Sequence, residues 1–151
     1  MAVDSRAKGA RAESDIAKVL KTKTGLDFKR VPLSGGLHAS HGLKGDLYLA
    51  NSLNIYCIEV KHYKDDHFTS KILTDKTPQL LEWWLQTIRE SAQISRKPLL
   101  IYKFDRSKIF VAFRDPPSTD DYRYAFLNID GHQLFTAKLD DWLEHEKPRF
   151  N

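Results

Sequence analysis

The stretch that most constrains the fold is Ile55-Tyr56-Cys57-Ile58-Glu59-Val60-Lys61, an apolar run that ends in an acid and a base. Its β-branched and aromatic residues favour an extended, pleated backbone. Strand side chains alternate between faces. One face therefore carries Ile55, Cys57, Glu59 and Lys61, and the other carries Tyr56, Ile58 and Val60. Just upstream, Asp46-Leu47-Tyr48-Leu49-Ala50 has the same character, and Asn51-Ser52-Leu53-Asn54 between the two reads as a tight turn. A hairpin closed by that turn sets Ala50 opposite Ile55 and brings Asp46 beside Glu59. Two carboxylates and one ammonium then converge at the end of an otherwise apolar ladder.

The rest of the chain supplies partners for this hairpin. Alanines, lysines and arginines predict a helix over Ser5–Thr24, with Gly25 at its C-terminal stop. Its inner seam is Ala10, Glu13, Ala17 and Leu20, with Ile16 alongside. Phe28–Val31 reads as a short strand, followed by the glycine-rich stretch through Gly45. A polar loop covers 63–77. A helix is expected from Pro78 to about Ser95, with Leu81, Trp84, Leu85 and Ile88 on one face; proline is tolerated at a first helical position. Here Trp84 reads as core. Trp83 reads as an exposed or interface residue, which would leave it free to stack on bases. Further strands are expected at Leu99–Lys103, Lys108–Phe113 and Tyr122–Leu127. A turn follows at Asn128–Gly131, then a closing helix at Leu139–His145. This order predicts an α/β fold, a mixed central sheet flanked by helices, with residues 1–151 forming a single domain.

Composition narrows the class. At 151 residues, 41% of them hydrophobic, the chain can build one core without staples. The single Cys57 excludes an internal disulfide framework and a cysteine zinc site, and its apolar neighbours mark it as a small buried hydrophobe. No run is long and apolar enough to cross a membrane, and the N-terminus lacks a signal-peptide pattern. The expectation is a soluble, cytoplasmic protein with no membrane partner. The net charge of +4 is concentrated at the start: from Met1 to Arg30 there are eight Lys/Arg (Arg6, Lys8, Arg11, Lys18, Lys21, Lys23, Lys29, Arg30) and four acids (Asp4, Glu13, Asp15, Asp27). That suits a polyanionic partner; the plainer alternative is a solvated helix face.

The convergence of Asp46, Glu59 and Lys61 points to chemistry on phosphate. Paired carboxylates repel unless compensated, and a hard divalent cation compensates them while leaving positions for water and phosphate oxygens. Asp46, Glu59, the carbonyl of Val60 and, through water, Glu13 are the candidate ligands. Lys61 would orient the attacking water or neutralise charge in the transition state. Glu13 in an apolar helix seam needs a cation or strong donors. The plainer alternatives are a Glu59–Lys61 ion pair on an edge strand with Asp46 in a turn, and Glu13 as an acid held by the helix dipole. Lys8, Arg11, Lys44 and Lys64 are placed to meet a nucleic-acid backbone. His38 and His41, in the loop before Asp46, are weaker candidates for phosphate or metal.

Lys8-Gly9-Ala10-Arg11-Ala12-Glu13, Arg30-Val31-Pro32-Leu33-Ser34-Gly35-Gly36, Gly45-Asp46 and Ile58-Glu59-Val60-Lys61 together resemble the archaeal-type Holliday junction resolvases of the PD-(D/E)XK nuclease superfamily. The resemblance covers residues 8–61 and, more loosely, the helix and strand through Lys103. It implies a restriction-endonuclease-like core of order α-β-β-β-α-β and a Mg²⁺-dependent endonuclease, with Mn²⁺ also supporting activity. The implied substrate is branched DNA, and the implied assembly a homodimer. It places Glu13, Asp46, Glu59 and Lys61 in the catalytic core, with Arg30 and Ser34 as the basic and hydroxyl groups beside the scissile phosphate. Lys44-Gly45 stands where a proline often precedes the aspartate, and the resemblance is weaker over the loop at 63–77 and the tail after Asp115, which leave the substrate shape open. The rivals are a nuclease of the same fold acting on linear duplex or flaps in repair or restriction, and a non-catalytic nucleic-acid-binding module.

Overall fold

The computed structural model describes residues 5–32 and 43–151, with side chains from residue 9 onward. Helix α1 spans Ser5–Thr24. Gly25, at φ +75°, closes it by donating its N–H to the Lys21 carbonyl at 2.8 Å, a left-handed stop that glycine adopts without strain. Strand β1 (Phe28–Arg30) follows, then β2 (Leu47–Leu49) and β3 (Tyr56–Tyr63). A one-turn helix α2 (Lys71–Thr74) precedes α3 (Gln79–Gln93). Then come β4 (Lys97–Phe104), β5 (Ile109–Phe113), β6 (Tyr124–Ile129), β7 (His132–Lys138) and α4 (Leu139–Glu146).

Among the described residues, seven strands form one sheet in the order β1-β2-β3-β4-β5-β7-β6. Only β3 and β4 pair in parallel; the other neighbours are antiparallel. The parallel pair needs a crossover, and α3 provides it. The sheet divides the core in two. On one face α1 and α4 pack Ala12, Ile16, Leu20 and Trp142 against Ile58, Val60, Leu99 and Ile101. On the other, α2 and α3 pack Ile72, Leu80, Trp83 and Trp84 against Leu100, Tyr102 and Phe104. The odd and even residues of β4 thus serve different layers, as the two-residue period requires. No described helix is long and apolar enough to cross a membrane.

The expected helices and strands are present with ends shifted by one or two residues, as in the strand expected at Tyr122–Leu127 and found at Tyr124–Ile129, and with four larger differences. Residues His132–Lys138 form β7, which the sequence reading left unassigned. Asp130 and Gly131, at φ +53° and +86°, make a two-residue hairpin turn into it from β6, the geometry that Asp-Gly favours. The loop at 63–77 contains α2. Pro78 caps α3 from outside, at φ −59° and ψ 146°, instead of opening it. Finally, Trp83 is 3% exposed. The helix buries a wider arc than a single seam because Tyr63, His67 and Phe104 close over Trp83 from the strand side, so it offers no free face to a base.

Candidate active site

The site forms where β2 and β3 part. Leu47 pairs with Ile58, which sets Asp46 opposite Glu59 as the hairpin reading required. Gly45 makes this possible. It stands at φ +80°, and a Cβ there would lie 2.6 Å from the Ile58 carbonyl oxygen. Only glycine lets the backbone approach this closely in that conformation. The Asp46 N–H then donates to the Ile58 carbonyl at 2.7 Å, and its own carbonyl accepts from Val31 at 2.9 Å. Its Oδ2 accepts the Val60 N–H at 2.7 Å. Two main-chain hydrogen bonds fix the backbone of a residue that lies just outside any strand, and a third fixes its carboxylate.

Glu59 is 3% exposed and sits on a central strand between β2 and β4. That removes the edge-strand alternative, in which Glu59 and Lys61 would form a solvated pair. Lys61 Nζ is 4.0 Å from Glu59 Oε2, the outer limit of an ion pair. Burial, the adjacent Glu90 carboxyl and the charge of Asp46 hold the Glu59 carboxyl well above the usual carboxylate range. Asp46 is pushed up to about 6, mainly by burial; the Val60 hydrogen bond opposes this and the charge of Glu13 reinforces it. Without a compensating cation, this pocket therefore holds protons on groups that would be ionised in water. Glu13 reaches in from α1 and accepts from Arg30 Nε at 2.8 Å, so the strong donor that its place in an apolar seam demanded is supplied by β1.

A cavity of about 690 Å³ gathers Glu13, Lys44, Asp46, Glu59, Val60, Lys61 and Lys64. The structure thus brings together the predicted acids and Lys61, with Lys44 and Lys64 at the same opening. Arg30 joins them through Glu13. Arg11 is exposed on α1 and does not line the cavity. Ser34, His38 and His41 lie outside the described residues, as does the side chain of Lys8. One residue was missed. Glu90, on α3, lines the cavity. Its Oε1 accepts from Gln86 Nε2 at 3.3 Å, and its buried Oε2 has no hydrogen-bond partner among the described residues. In the sequence Glu90 is one polar residue in an amphipathic helix, and nothing local marks it as facing a second acid 31 positions earlier.

The family described as "Phage putative PDDEXK endonuclease" matches the chain over residues 4–149. The chain belongs to this endonuclease family. It is 40% identical over 152 residues to Protein D14 of Escherichia phage T5, covering 96% of this chain and 95% of that protein. Among solved structures it is similar to Hjc, a Holliday junction resolvase from the archaeal hyperthermophile Archaeoglobus fulgidus. That likeness has a TM-score of 0.42 and 14% identity, covering 87% of this chain and 89% of the other.

Nucleases of the PD-(D/E)XK type generally use divalent metals, and the donor set here suits one. The oxygens are hard and buried, two carboxyls are destabilised as anions, and Glu90 Oε2 is unpartnered. Among the described residues, no three His, Cys, Asp or Glu side chains are grouped to enclose an ion. A divalent cation held here would complete its shell with main-chain oxygen, water and phosphate oxygens.

Proposed function

We propose that this endonuclease is a metal-dependent, structure-selective enzyme that hydrolyses phosphodiester bonds at four-way DNA junctions. The observation that carries the reading is the meeting of Asp46, Glu59 and Lys61 in one partly buried cavity of an endonuclease-family chain. Asp46, Glu59 and the Val60 carbonyl would hold Mg²⁺, or Mn²⁺ in its place, with Glu13 reaching it through water. The cation, when bound, supplies Lewis-acid activation of water and stabilises charge on the phosphoryl group. The chain's own groups do the positioning. The Val60 N–H and the close approach at Gly45 fix Asp46. Burial in the sheet fixes Glu59. Lys61, which lines the same cavity, would orient the attacking water or meet a non-bridging phosphate oxygen, where a fixed ammonium in a partly dry site stabilises developing charge. Arg30 and Ser34 would hold the phosphate, and Lys8, Arg11, Lys44 and Lys64 the flanking backbone.

The junction assignment is supported by the motif resemblance over residues 8–61. Two symmetric nicks call for two active sites, and a C2 homodimer of this single-domain chain provides them. The second reading keeps the nuclease and changes the DNA to flaps or linear duplex, as in repair or restriction. A pure binding module is disfavoured, because buried acids facing a phosphate weaken binding unless a cation sits between them.

The deciding assay presents a four-way junction, a flap and a linear duplex side by side, with Mg²⁺ and with a chelator. Preferential cutting of the junction, lost in chelator and in Glu59→Gln, is expected. Equal cutting of junction and linear duplex would transfer the assignment to the second reading, and no cutting of any DNA would end the enzymatic one.

A further inference from the structure

A second cavity, of about 400 Å³, continues the active-site cavity along the α3 side and shares Lys61, Tyr63 and Gln86 with it. It is within the size range of small-molecule sites, and its lining is unlike a phosphate channel. Tyr63 follows Lys61 by two residues on β3, so the two side chains share a strand face, roughly 7 Å apart along the strand. Tyr63 is 41% exposed. Behind it the Trp83 ring lies 4.8 Å away at a 35° tilt, and His67 meets Tyr63 edge-on at 6.0 Å. Tyr63 is therefore a braced aromatic plate beside the catalytic groups.

The other wall is one face of α3. Gln79, Gln86 and Arg89 line it at helical spacing. Arg89 is exposed and makes no ion pair among the described residues. Trp83 also lines this cavity, and its Nε1–H is buried and without a hydrogen-bond partner among the described residues. Glu82, also on this wall, is engaged by Gln79 at 3.1 Å. Gln79 and Gln86 each commit one N–H, to Glu82 and Glu90, which leaves each amide a second N–H and its carbonyl oxygen. An aromatic plate, two such amides and a guanidinium without an ion pair are the groups that hold a nucleotide: a π-face for the base, donors and acceptors for its edge, and a cation for its phosphate.

We propose that this cavity is a subsite for one unpaired nucleotide of the strand being cut, its base lying on Tyr63 and its phosphate held by Arg89. The inference rests on the nuclease reading and narrows its substrate class. A base inside a continuous duplex is stacked on its neighbours and cannot lie on Tyr63. The subsite therefore favours DNA whose strand leaves the stack beside the cut, at a branch point or flap.

The test is a double cycle of binding in chelator, where nothing is cut. Wild-type protein and Tyr63→Ala are each titrated with a branched DNA and with a series carrying one abasic nucleotide at successive positions around the cut. Tyr63→Ala should weaken binding of the intact branched DNA by about fivefold or more, the low end for loss of a base–aromatic stack. At one position, removing the base should cost the wild type a similar factor and cost Tyr63→Ala almost nothing further. Tyr63→Phe, which keeps the ring, should recover the loss. Arg89→Ala should reduce the salt slope of binding by about one contact. The subsite is overturned if Tyr63→Ala binds branched DNA as the wild type does, if Phe fails to rescue, or if the two losses multiply at every position. Absence of cleavage in the Mg²⁺ assay would instead count against the nuclease reading, since this cycle requires none.

Discussion

Burial gives Glu59 and Asp46 a proton affinity that neither has in water, and this has a sign that can be measured. Both carboxyls are raised in the folded state, Asp46 to about 6 and Glu59 further. A raised acid keeps its proton in the folded chain after the unfolded chain has released it. Its contribution to stability is therefore full below the unfolded value, near 4, and is lost as pH rises through the folded value. In chelator, urea denaturation should show the protein less stable at pH 8 than at pH 5. Adding Mg²⁺ at pH 8 should restore stability, because the cation replaces the protons. Glu59→Gln should flatten the chelator profile and raise stability at pH 8 while lowering DNA cleavage by about a hundredfold or more. A chelator profile that rises from pH 5 to pH 8 in the wild type would contradict the account of the site.

At the scale of elements, the site depends on how closely two strands approach before they part. Gly45→Ala places a methyl 2.6 Å from the Ile58 carbonyl and 3.1 Å from Cys57 Sγ, on a backbone at φ +80°. The backbone must shift, at a cost of about 1–3 kcal/mol in urea denaturation. The same shift pulls Asp46 from the Val60 N–H, so cleavage should fall by more than stability alone explains. Helix α3 makes the complementary point. Its buried face centres on Leu80, Trp84, Thr87 and Ser91, leaving Leu85 and Ile88 half-buried. That rotation turns Gln86 and Glu90 toward the active site and Arg89 toward the neighbouring groove.

Across the whole molecule, the end of the chain locks the hairpin to the α1 layer. Phe150 is 2% exposed and meets the ring of Phe28 edge-on at 5.1 Å, with Tyr56 at 5.4 Å and Trp142 at 6.2 Å. Its carbonyl accepts the Ile55 N–H at 3.0 Å. These contacts tie β1 and β3, distant in sequence, to the neighbouring α4. Phe150→Ala should cost about 3–5 kcal/mol, the usual penalty for emptying a buried aromatic site, read as a drop in denaturation midpoint. A loss under 1 kcal/mol would show that the tail is not part of the core.

The sequence by itself determined the elements whose signals are local. Helix α1 was legible from its composition and Gly25. The β2–β3 register was legible from a four-residue turn between two apolar runs, and that register alone sets Asp46 beside Glu59. It also marked the order of strands around α3, since periodicity and turn residues act over a few positions. Tertiary structure decided what depends on which surfaces meet. It placed β7, whose polar start at His132 and Gln133 hides a strand that only pairing with β5 and β6 stabilises. It buried Trp83, brought Arg30 to Glu13, and set Glu90 against Glu59. Such contacts join residues with no shared local pattern, and their cost or benefit arises only when the sheet and helices exclude water between them.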